Sequence, residues 1–78
     1  MFHFYFHVQT PEATESDADG LEMPDVHAAY LAACDAIPHI AGDLLRGGKD
    51  PMRSEILICD AEGRVLIEVP FTDLVRRG

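Results

Sequence analysis

Residues Ser54 to Pro70 read SEILICDAEGRVLIEVP, and the way this stretch doubles back decides the fold. Two apolar runs flank Ala61-Glu62-Gly63. Asp60-Ala61-Glu62-Gly63 suits a type I turn followed by a glycine in the left-handed region, a common three-residue hairpin loop. With the loop at 61–63, Asp60 lies opposite Arg64, and Cys59, Ile58, Leu57 and Ile56 pair in turn with Val65, Leu66, Ile67 and Glu68. That register predicts one strongly apolar face, made of Leu57, Cys59, Val65, Ile67 and Val69. It leaves Ile56, Ile58 and Leu66 on the reverse.

The amino-terminal FHFYFHVQ, residues 2–9, has the two-residue period of a half-buried strand. Phe2, Phe4, Phe6 and Val8 alternate with His3, Tyr5, His7 and Gln9, so the phenylalanines are expected to join the apolar face of the hairpin. TPEATESDADG, residues 10–20, is acidic and rich in turn formers, and it reads as a solvated loop. Leu21-Glu22-Met23 makes a short strand that Pro24 stops. Asp25 is placed to cap a helix that runs to about Arg46 and ends at Gly47-Gly48. Val26, Tyr30, Ala33, Ile37, Ile40 or Ala41, and Leu44 form its buried stripe. Pro38 lacks a backbone donor and crowds the carbonyl of Cys34, which predicts a kink or break near Ala36 and Ile37. Thr72 is expected to cap a last helical turn through Asp73, Leu74 and Val75, with Phe71 packing on the sheet. The sum is a single α+β domain over residues 1–78: a small antiparallel sheet in the order β-β-α-β-β, with one kinked helix on one face.

A chain of 78 residues with 47% hydrophobic residues supports one small core. Domains of this size bury only roughly 60% of the surface their unfolded chains expose, so they are often helped by disulfides, metals or oligomerisation. A net charge of −8, from 14 acidic and 6 basic residues, repels phosphate backbones and anionic lipid, so neither nucleic acid nor membrane is an expected partner. Cys34 and Cys59 sit in apolar surroundings without the spacing of a zinc or redox motif and read as buried free thiols. With no signal-like leader and no long apolar run, a cytoplasmic location is expected.

His3 and His7 would share one turn of a helix, but in a strand they lie ~13 Å apart and cannot clasp one ion. Glu15, Asp17, Asp19 and Gly20 lie on the first, third, fifth and sixth positions of a calcium loop, yet Glu22 and Val26 break the pattern at the eighth and twelfth. An acidic loop leading into a helix is the simpler reading. No serine sits in a nucleophile elbow, neither cysteine has an activating partner in sequence, and Gly47-Gly48-Lys49-Asp50 lacks the phosphate-binding frame. Neither a cofactor nor a metal is expected, and enzymatic activity is the less favoured reading.

Tyr5-Phe6-His7, then Asp17, Gly20, Glu22, Pro24 and Asp25, then an alanine-rich helix, then Asp60, Glu62-Gly63, Leu66, Pro70-Phe71 and Asp73-Leu74 follow one another along nearly the whole chain. In this the sequence resembles a family of short proteobacterial proteins of unknown function. They begin with an aromatic-aromatic-His strand, carry a Gly-x-Glu-Leu-Pro-Asp junction and end in a hairpin and a Pro-Phe segment. Met23 stands where the family has leucine, and Pro38 within the helix departs from its pattern. The resemblance implies a small α+β domain and carries no catalytic assignment.

One helix covers one sheet face, so the other face is expected to be open, presenting His3, Tyr5, His7, Ile56, Ile58 and Leu66. An apolar and aromatic surface with polar handles suits an interface. The expected function is therefore that of a noncatalytic interaction or regulatory module, self-associating as a homodimer through this face and able to meet a further protein partner through its acidic surface. The alternative is a small-ligand binder or enzyme using His7 and Tyr5, with His39, in a cleft beside the helix kink.

Overall fold

The computed structural model describes residues 1–74. Strand β1 (Phe2–Gln9) is followed by two short strands, β2 (Thr14–Glu15) and β3 (Leu21–Met23), and by helix α1 (Val26–Arg46). A 3-10 turn at Pro51–Arg53 leads into the hairpin of β4 (Glu55–Cys59) and β5 (Val65–Pro70), and a second 3-10 turn takes up Phe71–Asp73. The strands pair antiparallel in the order β2-β1-β4-β5, with β3 also on β1, giving a five-stranded sheet with one helix. This is the expected α+β arrangement. The addition is β2, a two-residue strand within the stretch read as loop.

The hairpin loop forms as its residues dictate. Asp60 N–H donates to the Arg64 carbonyl, Gly63 N–H donates to the Asp60 carbonyl, and Gly63 takes φ +86°. Beyond the loop the register departs from the simple one. Cys59 pairs with Val65, but Ile58 pairs with Ile67, Leu57 with Glu68 and Ile56 with Val69, so Leu66 is an extra residue on β5. Such a bulge shifts the partner strand by one residue, and a shift of one reverses which side chains share a face. Ile56 and Ile58 therefore lie with Ile67 and Val69 under the helix, 1% and 0% exposed, rather than on the open face. Leu57 takes the reverse side. Ile56-Leu57-Ile58-Cys59 is apolar throughout, so β4 carries no alternation of its own to fix its facing, and the register alone decides it.

Helix α1 starts where Asp25 Oδ1 accepts from the Ala28 N–H at 2.8 Å. At its end Lys49 N–H donates to the Leu44 carbonyl and Gly48 N–H to the Leu45 carbonyl, with Gly48 at φ +78°, a Schellman closure. The helix runs without a break through Pro38. Pro38 is exposed, so its ring points to water and the missing donor disturbs nothing in the core. The buried stripe is Ala29, Ala33, Ile37 and Ala41, flanked by the half-buried Tyr30, Cys34, Ile40 and Leu44, while Val26 is exposed. Three alanines let the helix axis approach the sheet closely. Phe4, Ile56, Ile58, Val69 and Phe71 complete this core, with Phe6 and Val8 at its margin. Phe2, at the end of its strand, stays 61% exposed. The last turn begins at Phe71 with no side-chain cap, so Thr72 does not take the expected role, and Val75 lies outside the described residues.

Candidate functional site

The long edge of β1 opposite β4 is covered in two pieces. β3 pairs with Phe2, His3 and Phe4, and β2 pairs with Val8 and Gln9. Between them a gap lies alongside Tyr5, Phe6 and His7, where a backbone donor would lack a strand partner. Asp17 fills it. Its Oδ2 accepts from the Phe6 N–H at 3.1 Å, and its Oδ1 accepts from the N–H groups of Asp19 and Gly20 at 3.2 and 3.0 Å. Partial burial pushes the Asp17 carboxyl up, but the amides of Gly20, Phe6 and Asp19, with His7 nearby, outweigh it and hold the group below its ordinary value.

Both strand histidines grip the same loop. The Asp17 N–H donates to His7 Nδ1 at 2.9 Å, and His3 Nε2 lies 2.7 Å from the Asp19 carbonyl, to which it must donate. His7 is therefore the tautomer with its proton on Nε2, and His3 carries one on Nε2 as well. His3 Nδ1 is 4.0 Å from Glu22 Oε2. Gly20, at φ +70°, lies against this contact. A Cβ there would come within 2.7 Å of both His3 Nε2 and the Phe4 carbonyl oxygen, so the position admits only glycine.

His3, Tyr5 and His7 form a row of rings along the sheet face away from the helix. The His3 and Tyr5 centroids are 5.1 Å apart and those of Tyr5 and His7 6.5 Å, the latter pair nearly parallel. By register Leu57 lies beside His7, Cys59 beside Tyr5, and Glu68 beyond Leu57. Three of the expected face residues, His3, Tyr5 and His7, are thus brought together. Leu66 is exposed at the bulge, and Ile56 and Ile58 are in the core. Leu57, Cys59 and Val65 are on this face, where the sequence reading had them under the helix. The loop-building role of Asp17 was missed too, although Asp17-x-Asp19-Gly20 carries the signal of an aspartate binding the amides two and three residues on.

Two cavities lie on the helix side. One, of about 340 Å³, is lined by Phe6, Val8, Asp17, Ala36, Ile40 and Ile56; the other, of about 430 Å³, shares Val8 and Ile40 and opens toward Thr10 and Lys49. Tyr5, His7 and His39 line neither. Among the described residues no group of three or more histidine, cysteine, aspartate or glutamate side chains is placed to hold a metal ion. Burial, and then the charge of Asp60, push the Cys59 thiol up, away from a nucleophilic thiolate. No described helix is long and apolar enough to cross a membrane.

A family model for a domain of unknown function, DUF6894, matches residues 3–72, from the histidine strand to the Phe71 turn. The chain belongs to the DUF6894 family. The matched span holds β2 to β5, α1 and all of β1 but Phe2 in the DUF6894 fold described above, together with His3, His7, Asp17 and Gly20. Comparison with the curated proteins and with solved structures finds no match.

Proposed function

We propose that this DUF6894 domain is a noncatalytic interaction module of the bacterial cytoplasm that self-associates through the open face of its sheet. The supporting observation is the row His3-Tyr5-His7 beside Leu57, with Val65 and Leu66 49% and 45% exposed, on a face that no described element covers. A second copy of this surface supplies hydrogen-bond acceptors for its donors. Glu22, Glu55 and Glu68 share the face with the rings, so in a two-fold pair a carboxylate of one copy is available to accept from the His7 Nε2–H or the Tyr5 hydroxyl of the other. The two longer dimensions of the molecule, 36 and 27 Å, give the broad face room for the roughly 800 Å² per partner of a standard interface. The other route to a dimer, pairing along β5, is obstructed by the bulge at Leu66 and by Pro70, devices that blunt a sheet edge.

Light scattering on a sizing column tests this reading across a dilution series. The expected species at micromolar concentration is twice 8.6 kDa, and Leu57→Asp reduces it to 8.6 kDa with its circular dichroism unchanged. An 8.6 kDa wild-type species at every concentration overturns self-association and leaves the acidic surface, facing a basic protein partner, as the remaining basis for an interaction role. Ile58→Asp is the contrasting variant. It puts a carboxylate among Ile56, Phe4 and Ile37 and is expected to unfold the chain rather than dissociate it.

A further inference from the structure

We infer that His7 and Asp17 form a proton-operated latch that holds the 16–20 loop against β1. The inference rests on hydrogen-bond polarity and holds within a single molecule, whether or not two copies associate. The Asp17 amide can only donate, so the bond to His7 Nδ1 exists only while that nitrogen keeps its lone pair. Proton uptake turns both ring nitrogens into donors, leaving the Asp17 N–H without a partner at the gap between β2 and β3. His3 responds in the opposite sense. Its Nε2 already donates to the Asp19 carbonyl, and a second proton on Nδ1 faces Glu22, so protonation leaves the far grip intact.

The groups around His7 are few. Asp17 on the loop is the nearest carboxylate, and Tyr5 is the ring neighbour on its own strand. On β4 Leu57 lies opposite, with Glu55 and Cys59 on the diagonals; Glu15 of β2 pairs with Val8 and so belongs to the other face, as does α1. The imidazolium is attracted to the Asp17 carboxylate and stays close to it, but no ring rotation restores an acceptor. Asp17, Gly20 and Leu21 also wall the 340 Å³ cavity on the helix side. Releasing the latch therefore loosens one wall of that cavity while the core beneath α1 is untouched.

Amide hydrogen exchange resolved by NMR, corrected for the intrinsic pH dependence of exchange, tests the latch in the full chain. Between about pH 8 and pH 5 the protection of the Asp17, Asp19 and Gly20 amides is expected to fall at least about ten-fold, while amides of β4 hold theirs. The ring-nitrogen shifts of His7 at the higher pH should report the Nε2–H tautomer. In His7→Asn the Oδ1 takes the place of Nδ1 as an acceptor that does not titrate, so its loop protection should be the same at both pH values. Unchanged wild-type protection, or an Nδ1–H tautomer, overturns the latch; so does a folded His7→Asn that loses protection as the wild type does.

Discussion

Two aspartates each build a loop of this sheet, Asp60 between β4 and β5 and Asp17 on the outer edge of β1. Asp60 collects its donors from nearby: the amides of Glu62 and Arg64 and the Arg64 guanidinium, all within four residues. Asp17 binds two near amides as well, but its other oxygen reaches the Phe6 N–H, 11 residues back, and its own amide goes to the His7 ring. The first loop closes a hairpin whose strands are already adjacent. The second replaces a missing strand at an edge, so it joins distant parts of the chain. A turn that is purely local can fail with little consequence elsewhere, whereas a turn that also completes a sheet cannot.

The left-handed glycines of these two loops sharpen this contrast most. Gly20→Ala combines left-handed strain with a Cβ driven into the Phe4 carbonyl and the His3 ring, and is expected to cost roughly 2–4 kcal/mol. Gly63→Ala, at nearly the same φ, meets nothing within 4 Å and should cost about 1 kcal/mol. Thermal unfolding measures both, at roughly 4–8 °C per kcal/mol for a domain of this size. Equal losses would mean that the 16–20 loop is no more tied to the sheet than the hairpin loop is.

The aspartates should separate in the same direction with a smaller spread. Asp17→Asn replaces one acceptor oxygen with a donor that faces backbone N–H groups, for a loss of about 1–3 kcal/mol. For Asp60, the Arg64 amide, opposed by slight burial and aided by the Arg64 guanidinium and the Glu62 amide, also holds the carboxyl below its ordinary value. Because both folded-state values are depressed, both groups stabilise the fold above the ordinary carboxylate range near pH 4 and lose that contribution as pH falls through their folded values. Denaturant unfolding between about pH 5 and pH 2 should therefore show a decline in stability that is flatter in Asp17→Asn than in the wild type. A decline of the same slope in the variant would mean that Asp17 does not contribute to it.

The smallest effect is expected away from both loops. Ser54, just before β4, is 4% exposed and its hydroxyl has no hydrogen-bond partner. Ser54→Ala should leave stability unchanged or raise it slightly, since an unpaired buried hydroxyl is removed at little cost in volume. A clear loss of unfolding midpoint would mean that the hydroxyl does have a partner.

What could be read from the chain follows the same division. The Asp25 cap, the glycine-closed helix end, the Asp60 turn and the alternation of Phe2 to Val8 are local signals, and each element forms where its residues place it. The facing of Ile56 and Ile58 depended on a one-residue bulge across a hairpin, which no residue type announces in a run as uniformly apolar as Ile56-Leu57-Ile58-Cys59. The row of His3, Tyr5 and His7 was legible from alternation alone. Their link to Asp17 was not, because it spans sequence separations that only the completed sheet brings together.

The supernumerary Leu66 also sets a rule of parity for descendants of this chain. Between Ile67 and Val69 length can change only in even steps, because an odd insertion or deletion in that paired stretch would turn Val69 outward and Glu68 inward. Loss of Leu66 itself is the case to watch. It would restore an unbroken ladder and leave Ile58 opposite Ile67, Leu57 opposite Glu68 and Ile56 opposite Val69, so that this one odd change in length keeps the same side chains under the helix.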